Sequence, residues 1–149
     1  MVQRKFKNSK TTIIGYTTGV FDLFHVGHVK LLQNCKSLCD KLIVGVTVDK
    51  LVKYKYKKPV IPFSERIEIV RACKYVDMAL PQVDMNKIKV IKKLKCNFLF
   101  VGDDWYLNKK WKNYENQLNK LNCRIIYFPY TNTTSSTLIN NTLNKLRKT

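Results

Sequence analysis

The chain has two histidines, and both fall in Gly19-Val20-Phe21-Asp22-Leu23-Phe24-His25-Val26-Gly27-His28. This run leaves an apolar, β-branched stretch and enters an apolar-periodic one, so the spacing predicts His25 and His28 at the first turn of a helix. A helix start carries unpaired N–H groups and a partial positive charge that attract anions. Two imidazoles there add donors aimed at the same anion. Gly19 and Gly27 suit a segment whose backbone must approach a ligand and a neighbouring strand, where a Cβ would obstruct. The run reads as a phosphate cradle. It matches neither G-x-x-x-x-G-K-[ST] nor G-x-G-x-x-G, and neither pattern occurs elsewhere in the chain.

A second hydroxyl-rich helix entry, Tyr130-Thr131-Asn132-Thr133-Thr134-Ser135-Ser136-Thr137, offers caps that can equally bind phosphate. A lysine run, Lys53-Tyr54-Lys55-Tyr56-Lys57-Lys58, is placed to act as a basic flap. Such groups suit attack by a phosphate oxygen on the α-phosphorus of a nucleoside triphosphate. A phosphate monoester is already ionised near neutral pH, so the work is positioning and charge stabilisation, without a general base. A metal site is the competing use of His25 and His28 with Cys35 and Cys39. On a helix, however, Cys35 lies roughly 10 Å along the axis from His28. The cysteines therefore read as core, sharing a stripe with Leu31, Leu32 and Leu38, and no metal ligands are assigned.

These groups need a scaffold that brings strand ends together. Thr12 to Val20, Lys41 to Val48 and Asn97 to Val101 read as buried strands, with Arg124 to Phe128 as another and Met78-Ala79-Leu80 as an edge strand before Pro81. Helices are expected from Val26 to Cys39, from a Ser64 cap to Lys74 with Ile67, Val70 and Arg71 on one face, and over 85–94. Two more are expected, one through Tyr114, Leu118 and Leu121 and one through Leu138, Ile139, Leu143 and Leu146. Alternating strands and helices predict an α/β, doubly wound, Rossmann-like parallel sheet with helices on both faces, and a ligand site at the carboxyl ends of the strands. The expected organisation is a basic tail over 1–10 and one domain over 11–149.

Twenty-eight basic against ten acidic side chains give a net charge of +18, which favours anionic ligands. A nucleic-acid-binding module would use that charge, but it leaves both histidines without a task and lacks a stacking-aromatic motif, so no nucleic-acid partner is expected. Five cysteines without paired spacing argue for a reducing compartment. No apolar run spans a bilayer and the first residues lack a signal core, so a cytoplasmic location without membrane partners is expected.

The sequence Gly19-x-Phe21-Asp22-x-x-His25-x-Gly27-His28 resembles the signature of the nucleotidyltransferase superfamily, and its fuller form that of the cytidylyltransferases that make CDP-alcohols. Lys74-Tyr75-Val76-Asp77, Gly102-Asp103-Asp104-Trp105 and Thr134-Ser135-Ser136-Thr137 extend the likeness. Within the family the chain is most similar to the glycerol-3-phosphate cytidylyltransferases. The resemblance implies CTP and a phosphorylated alcohol as substrates, Mg²⁺ with the triphosphate, and a homodimer with Lys74 to Asp77 near its interface. An ATP-using adenylyltransferase is the nearest alternative.

Position by position, the resemblance implies nucleotide contact by Gly19, Val20, Phe21, His25, Val26, Gly27, His28, Lys57, Arg66, Gly102, Asp104 and the run Tyr130, Thr131, Asn132, Thr133, Thr134, Ser135, Ser136, Thr137. It gives catalysis to His25, His28 and Lys57, and acceptor contact to Lys55, Lys87, Asp22 and Trp105. The chain departs from the family pattern in the loop, where Tyr130 stands in place of a basic residue and Thr133 in place of a glycine, and at Lys74, which replaces an arginine, keeping the charge without the bidentate fork.

Overall fold

The structure is a computed structural model that describes residues 11–52, 58–102, 109–129 and 134–148. In chain order it contains β1 (Ile14–Gly19), α1 (Val26–Ser37), β2 (Lys41–Thr47), α2 (Asp49–Val52), α3 (Phe63–Ala72) and β3 (Met78–Gln82). These are followed by α4 (Ile88–Leu94), β4 (Phe98–Gly102), α5 (Lys109–Lys120), β5 (Arg124–Phe128) and α6 (Ser136–Leu146). The five strands form one all-parallel sheet in the order β3-β2-β1-β4-β5. The expected doubly wound α/β fold is the fold observed.

Strand composition explains the layering. β2 is buried from Leu42 through Thr47, with no polar alternation, because helices cover both of its faces. On one face Leu32 and Cys35 of α1 and Ile67 and Val70 of α3 pack against Leu42, Val44 and Val46. On the other, Ile91 of α4 and Leu118 of α5 pack against Tyr16, Ile43 and Leu99. Pro81 is tolerated because β3 is an edge strand. The order reverses between β1 and β4, which puts the switch point of the sheet beside the Gly19 end of β1.

Several local expectations are corrected. Ser64 does not cap α3: the helix starts two residues earlier, Pro62 occupies the cap position without a side-chain bond, and Asp49 Oδ2 accepts the Phe63 N–H from across the fold at 3.2 Å. Arg71 is exposed and pairs with Glu68 instead of joining the apolar face. Cys35 and Leu32 are fully buried as expected, but Leu38 falls past the end of α1 and is 44% exposed. The leucines of α6 at 138, 143 and 146 are likewise exposed. Among the described residues no helix is long and apolar enough to cross a membrane.

Candidate active site

The histidine pair is built by a helix cap. His25 is the N-cap of α1 in extended backbone, and His28 is its third residue. The Gly27 N–H donates to His25 Nδ1 at 3.1 Å, while the His25 N–H donates to His28 Nδ1 at 3.3 Å. This is a capping box in which both side-chain acceptors are imidazole nitrogens. It fixes the tautomers: with each Nδ1 accepting, the proton of the neutral ring sits on Nε2, which is left to donate outward.

The rings are packed as well as bonded. Their centroids lie 4.0 Å apart, and His28 also stacks on Phe24 at 5.3 Å and meets the edge of Phe21 at 5.3 Å. Burial, helped by the neighbouring His25 and opposed by Asp22, pulls the His28 pKa down to about 4. Burial lowers that of His25 too. At neutral pH the pair is a set of uncharged donors awaiting an anion.

The glycines serve this packing. A Cβ on Gly27 would stand 2.8 Å from the His25 ring and 3.3 Å from the carbonyl of Thr134, and one on Gly19 would meet the Phe21 ring at 3.0 Å. The two glycines thus leave room for the motif's own rings and for the chain entering α6. Phe21 and Leu23 adopt left-handed backbone, φ 53° and 48°. Such conformations in bulky residues persist only where surrounding structure enforces them.

Two residues expected at the substrates bond to the main chain. Asp22 lines the cavity beside His28, but its carboxylate accepts the N–H groups of Leu23 (3.1 Å), Val60 (2.8 Å) and Ile61 (2.9 Å). Arg66 has no exposed surface. Its guanidinium donates to the carbonyls of Ile61 (2.9 Å), Val20 (2.5 Å) and Thr47 (2.9 Å) and pairs with Asp49 (2.5 Å). A five-donor fork suits this demand, and one with four donors committed and no exposed surface has little left for a triphosphate. Arg66 therefore fastens the ends of β1 and β2, the start of α2 and the segment after the lysine run to one another.

Two cavities open at the carboxyl end of the sheet. One of about 540 Å³ is lined by Val20, Phe21, Asp22 and His28 from the motif, Val52, Lys58 and Pro59 from the flap side, and Ser136, Thr137, Asn140 and Asn141 from α6. The other, about 360 Å³, lies over β1 and β4. Gly19, Gly102 and Lys87 line it, together with Thr47, Gln82, Trp111 and Tyr114. Val20 and Val52 line both, so the cavities adjoin there.

Within the hydroxyl run the roles separate. Ser135 caps α6, its Oγ accepting the Leu138 N–H at 3.1 Å. Ser136 Oγ donates to the Asp22 carbonyl and ties α6 to the motif. Thr137 faces the larger cavity. Val26, Gly27, Thr134, Ser135 and Arg66 line neither cavity, and His25 reaches the site through its contact with His28. Lys55, Lys57, Asp103, Asp104, Trp105, Tyr130, Thr131, Asn132 and Thr133 lie outside the described residues.

Sequence reasoning missed Asn140 and Asn141, which sit one turn into α6 beyond the hydroxyl run. It also missed Gln82 and Trp111, since no local motif marks a residue that reaches a site by strand register or helix face.

The family profile described as Cytidylyltransferase-like matches residues 16–142, the stretch that contains both cavities. The chain belongs to the cytidylyltransferase-like family. It is 37% identical over 109 residues to the FAD synthase of Archaeoglobus fulgidus, covering 73% of this chain and 79% of that protein. It is also 37% identical over 124 residues to the glycerol-3-phosphate cytidylyltransferase of Bacillus spizizenii, covering 83% and 91%. A solved lipopolysaccharide core biosynthesis protein from Thermoplasma volcanium superposes with a TM-score of 0.68 at 26% identity, over 81% of this chain and 98% of that one. Nucleotidyl transfer is accordingly the activity class of this cytidylyltransferase-like chain.

Proposed function

We propose that the protein transfers a cytidylyl group from CTP to a phosphorylated alcohol, with glycerol 3-phosphate the leading acceptor. One observation carries this reading: a donor-lined cavity and a second, lysine-bearing cavity meet at Val20 and Val52. The triphosphate would occupy the larger cavity, against His28, Lys58, Thr137 and the start of α6. The acceptor would occupy the smaller, its phosphate at the junction. An acceptor phosphate oxygen forms a bond to the α-phosphorus, the bond from that phosphorus to the β-bridging oxygen breaks, and pyrophosphate leaves. The Nε2–H donor of His28 holds an oxygen of the phosphorus centre as charge grows on it, and His25, packed on that ring, enters as a second donor through the family resemblance. Lys57 and Lys55 enter this reading through the family resemblance alone.

Mg²⁺ belongs to the reading as the triphosphate's counter-ion. Among the described residues no three His, Cys, Asp or Glu side chains converge to hold a cation. Asp22, which lines the nucleotide cavity, has both oxygens on main-chain N–H groups. The described residues do not fit a protein-held ion, and no step is assigned to one. A homodimer in solution also belongs to the reading. Asp77, expected near its interface, accepts from Lys36 Nζ and the Leu42 N–H, both at 2.6 Å, within the chain.

The FAD synthase relatives favour a second reading, an adenylyltransferase using ATP. Calorimetric titration with CTP and with ATP separates the two, followed by pyrophosphate release from each nucleotide with glycerol 3-phosphate or FMN. Product from CTP and glycerol 3-phosphate is expected. Binding of ATP with no response to CTP overturns the first reading.

A further inference from the structure

The floor of the smaller cavity carries a polar pair that the phosphoryl chemistry leaves unused. The parallel register of β2 and β3 sets Thr47 opposite Gln82. Each is only 5% exposed, and both line the cavity. Thr47 Oγ1 donates to Gln82 Oε1 at 2.8 Å. The amide's orientation is fixed from its other end, where Gln82 Nε2 donates to the Asp84 carbonyl at 3.2 Å. The Thr47 carbonyl is itself held by Arg66. With its proton committed, Thr47 Oγ1 presents lone pairs, and Gln82 Oε1 keeps a second one. This floor accepts hydrogen bonds.

An acceptor-only phosphate has nothing to offer such a floor. A hydroxyl does, because it brings a proton to a buried oxygen that otherwise lacks one. The charge of the cavity narrows the choice further. Lys87 and Lys110 line it, with Lys87 Nζ 5.6 Å from the centroid of the Trp111 ring and the Lys87 N–H donating to Tyr114 Oη at 2.7 Å. Ammonium groups in that wall favour the acceptor's phosphate and repel a cationic tail. Trp111, Tyr114 and Phe100 supply flat apolar surface to the carbon skeleton.

We infer that the Thr47–Gln82 pair reads a hydroxyl on the tail of the acceptor, and so selects neutral phosphorylated polyols over phosphorylated amino alcohols. The inference rests on the acceptor reading above and names the residues that give it specificity. A site built to pair a substrate hydroxyl rejects the analogue that lacks it, since the buried partner is left unpaired.

The test uses the full chain with CTP and Mg²⁺, following pyrophosphate release with glycerol 3-phosphate, propane-1,3-diol monophosphate, propane-1,2-diol 1-phosphate and phosphoethanolamine. The unmodified protein is expected to prefer glycerol 3-phosphate over phosphoethanolamine and over at least one deoxy analogue by about ten-fold or more in kcat/KM. Thr47→Val keeps the shape and removes the hydroxyl. It should raise KM for glycerol 3-phosphate by about ten-fold, leave CTP affinity by calorimetry unchanged, and flatten the preference over that deoxy analogue. Gln82→Leu should do the same. A merely structural role would lower Tm and leave the preference intact, and that result overturns the inference while sparing the acceptor reading. An unmodified protein that turns over none of the phosphorylated alcohols overturns both.

Discussion

At the scale of single residues, the site turns on where two protons sit. Both Nδ1 atoms of the histidine pair accept main-chain N–H groups, so each Nε2 is a donor. His28→Ala removes one of them and should lower turnover by at least about two orders of magnitude in a pyrophosphate-release assay, as loss of a transition-state donor does. Circular dichroism should show the fold retained. The same ring sets a pH signature. In the unfolded chain His28 takes a proton near its ordinary value of 6.5, in the folded chain only near 4. The unfolded state therefore binds more protons between those values. Stability contributed by the neutral ring is complete above about pH 6.5 and declines as pH falls toward 4. Denaturant melts across that window check the slope. A titration of the ring by NMR should place its midpoint near 4 in the free protein and higher once a triphosphate is bound.

Elements position these residues, and Arg66 is where they are joined. Its guanidinium holds three carbonyls and a carboxylate from separate segments. Arg66→Met should destabilise the protein by about 3 kcal/mol, since three carbonyls lose their charged donor, one of them at a buried bond. Chemical denaturation measures this, and a change below about 1 kcal/mol would show that water replaces the fork. Gly27→Ala tests the seam between the two helix starts. The added methyl meets the His25 ring, so turnover should fall further than Tm. Much of this level was legible in the sequence. Continuous β-branched runs announced central strands, and the start of α1 fell where the histidine spacing put it. What stayed hidden depends on partners distant in the chain. The α3 cap comes from Asp49, the Asp22 carboxylate turns to main chain near residue 60, and Thr47 meets Gln82 through strand register. Nothing in the local pattern of any of them names the other residue.

At the scale of the whole molecule, a net charge of +18 surrounds a site for highly anionic ligands. Long-range attraction raises association rates and is screened within about 10 Å at 0.1 M salt. The association rate of CTP, followed by stopped-flow, should therefore fall steeply with added salt, while the catalytic rate at saturating substrate changes little. A further consequence lies in the bond from Ser136 to the carbonyl of Asp22, which joins residues 114 apart. The ribosome makes the histidine motif well before the partner helix. A nascent chain stalled ahead of residue 134 would already hold all five described strands, yet its nucleotide grip would be half a hand, and competence should arrive abruptly once α6 clears the exit tunnel.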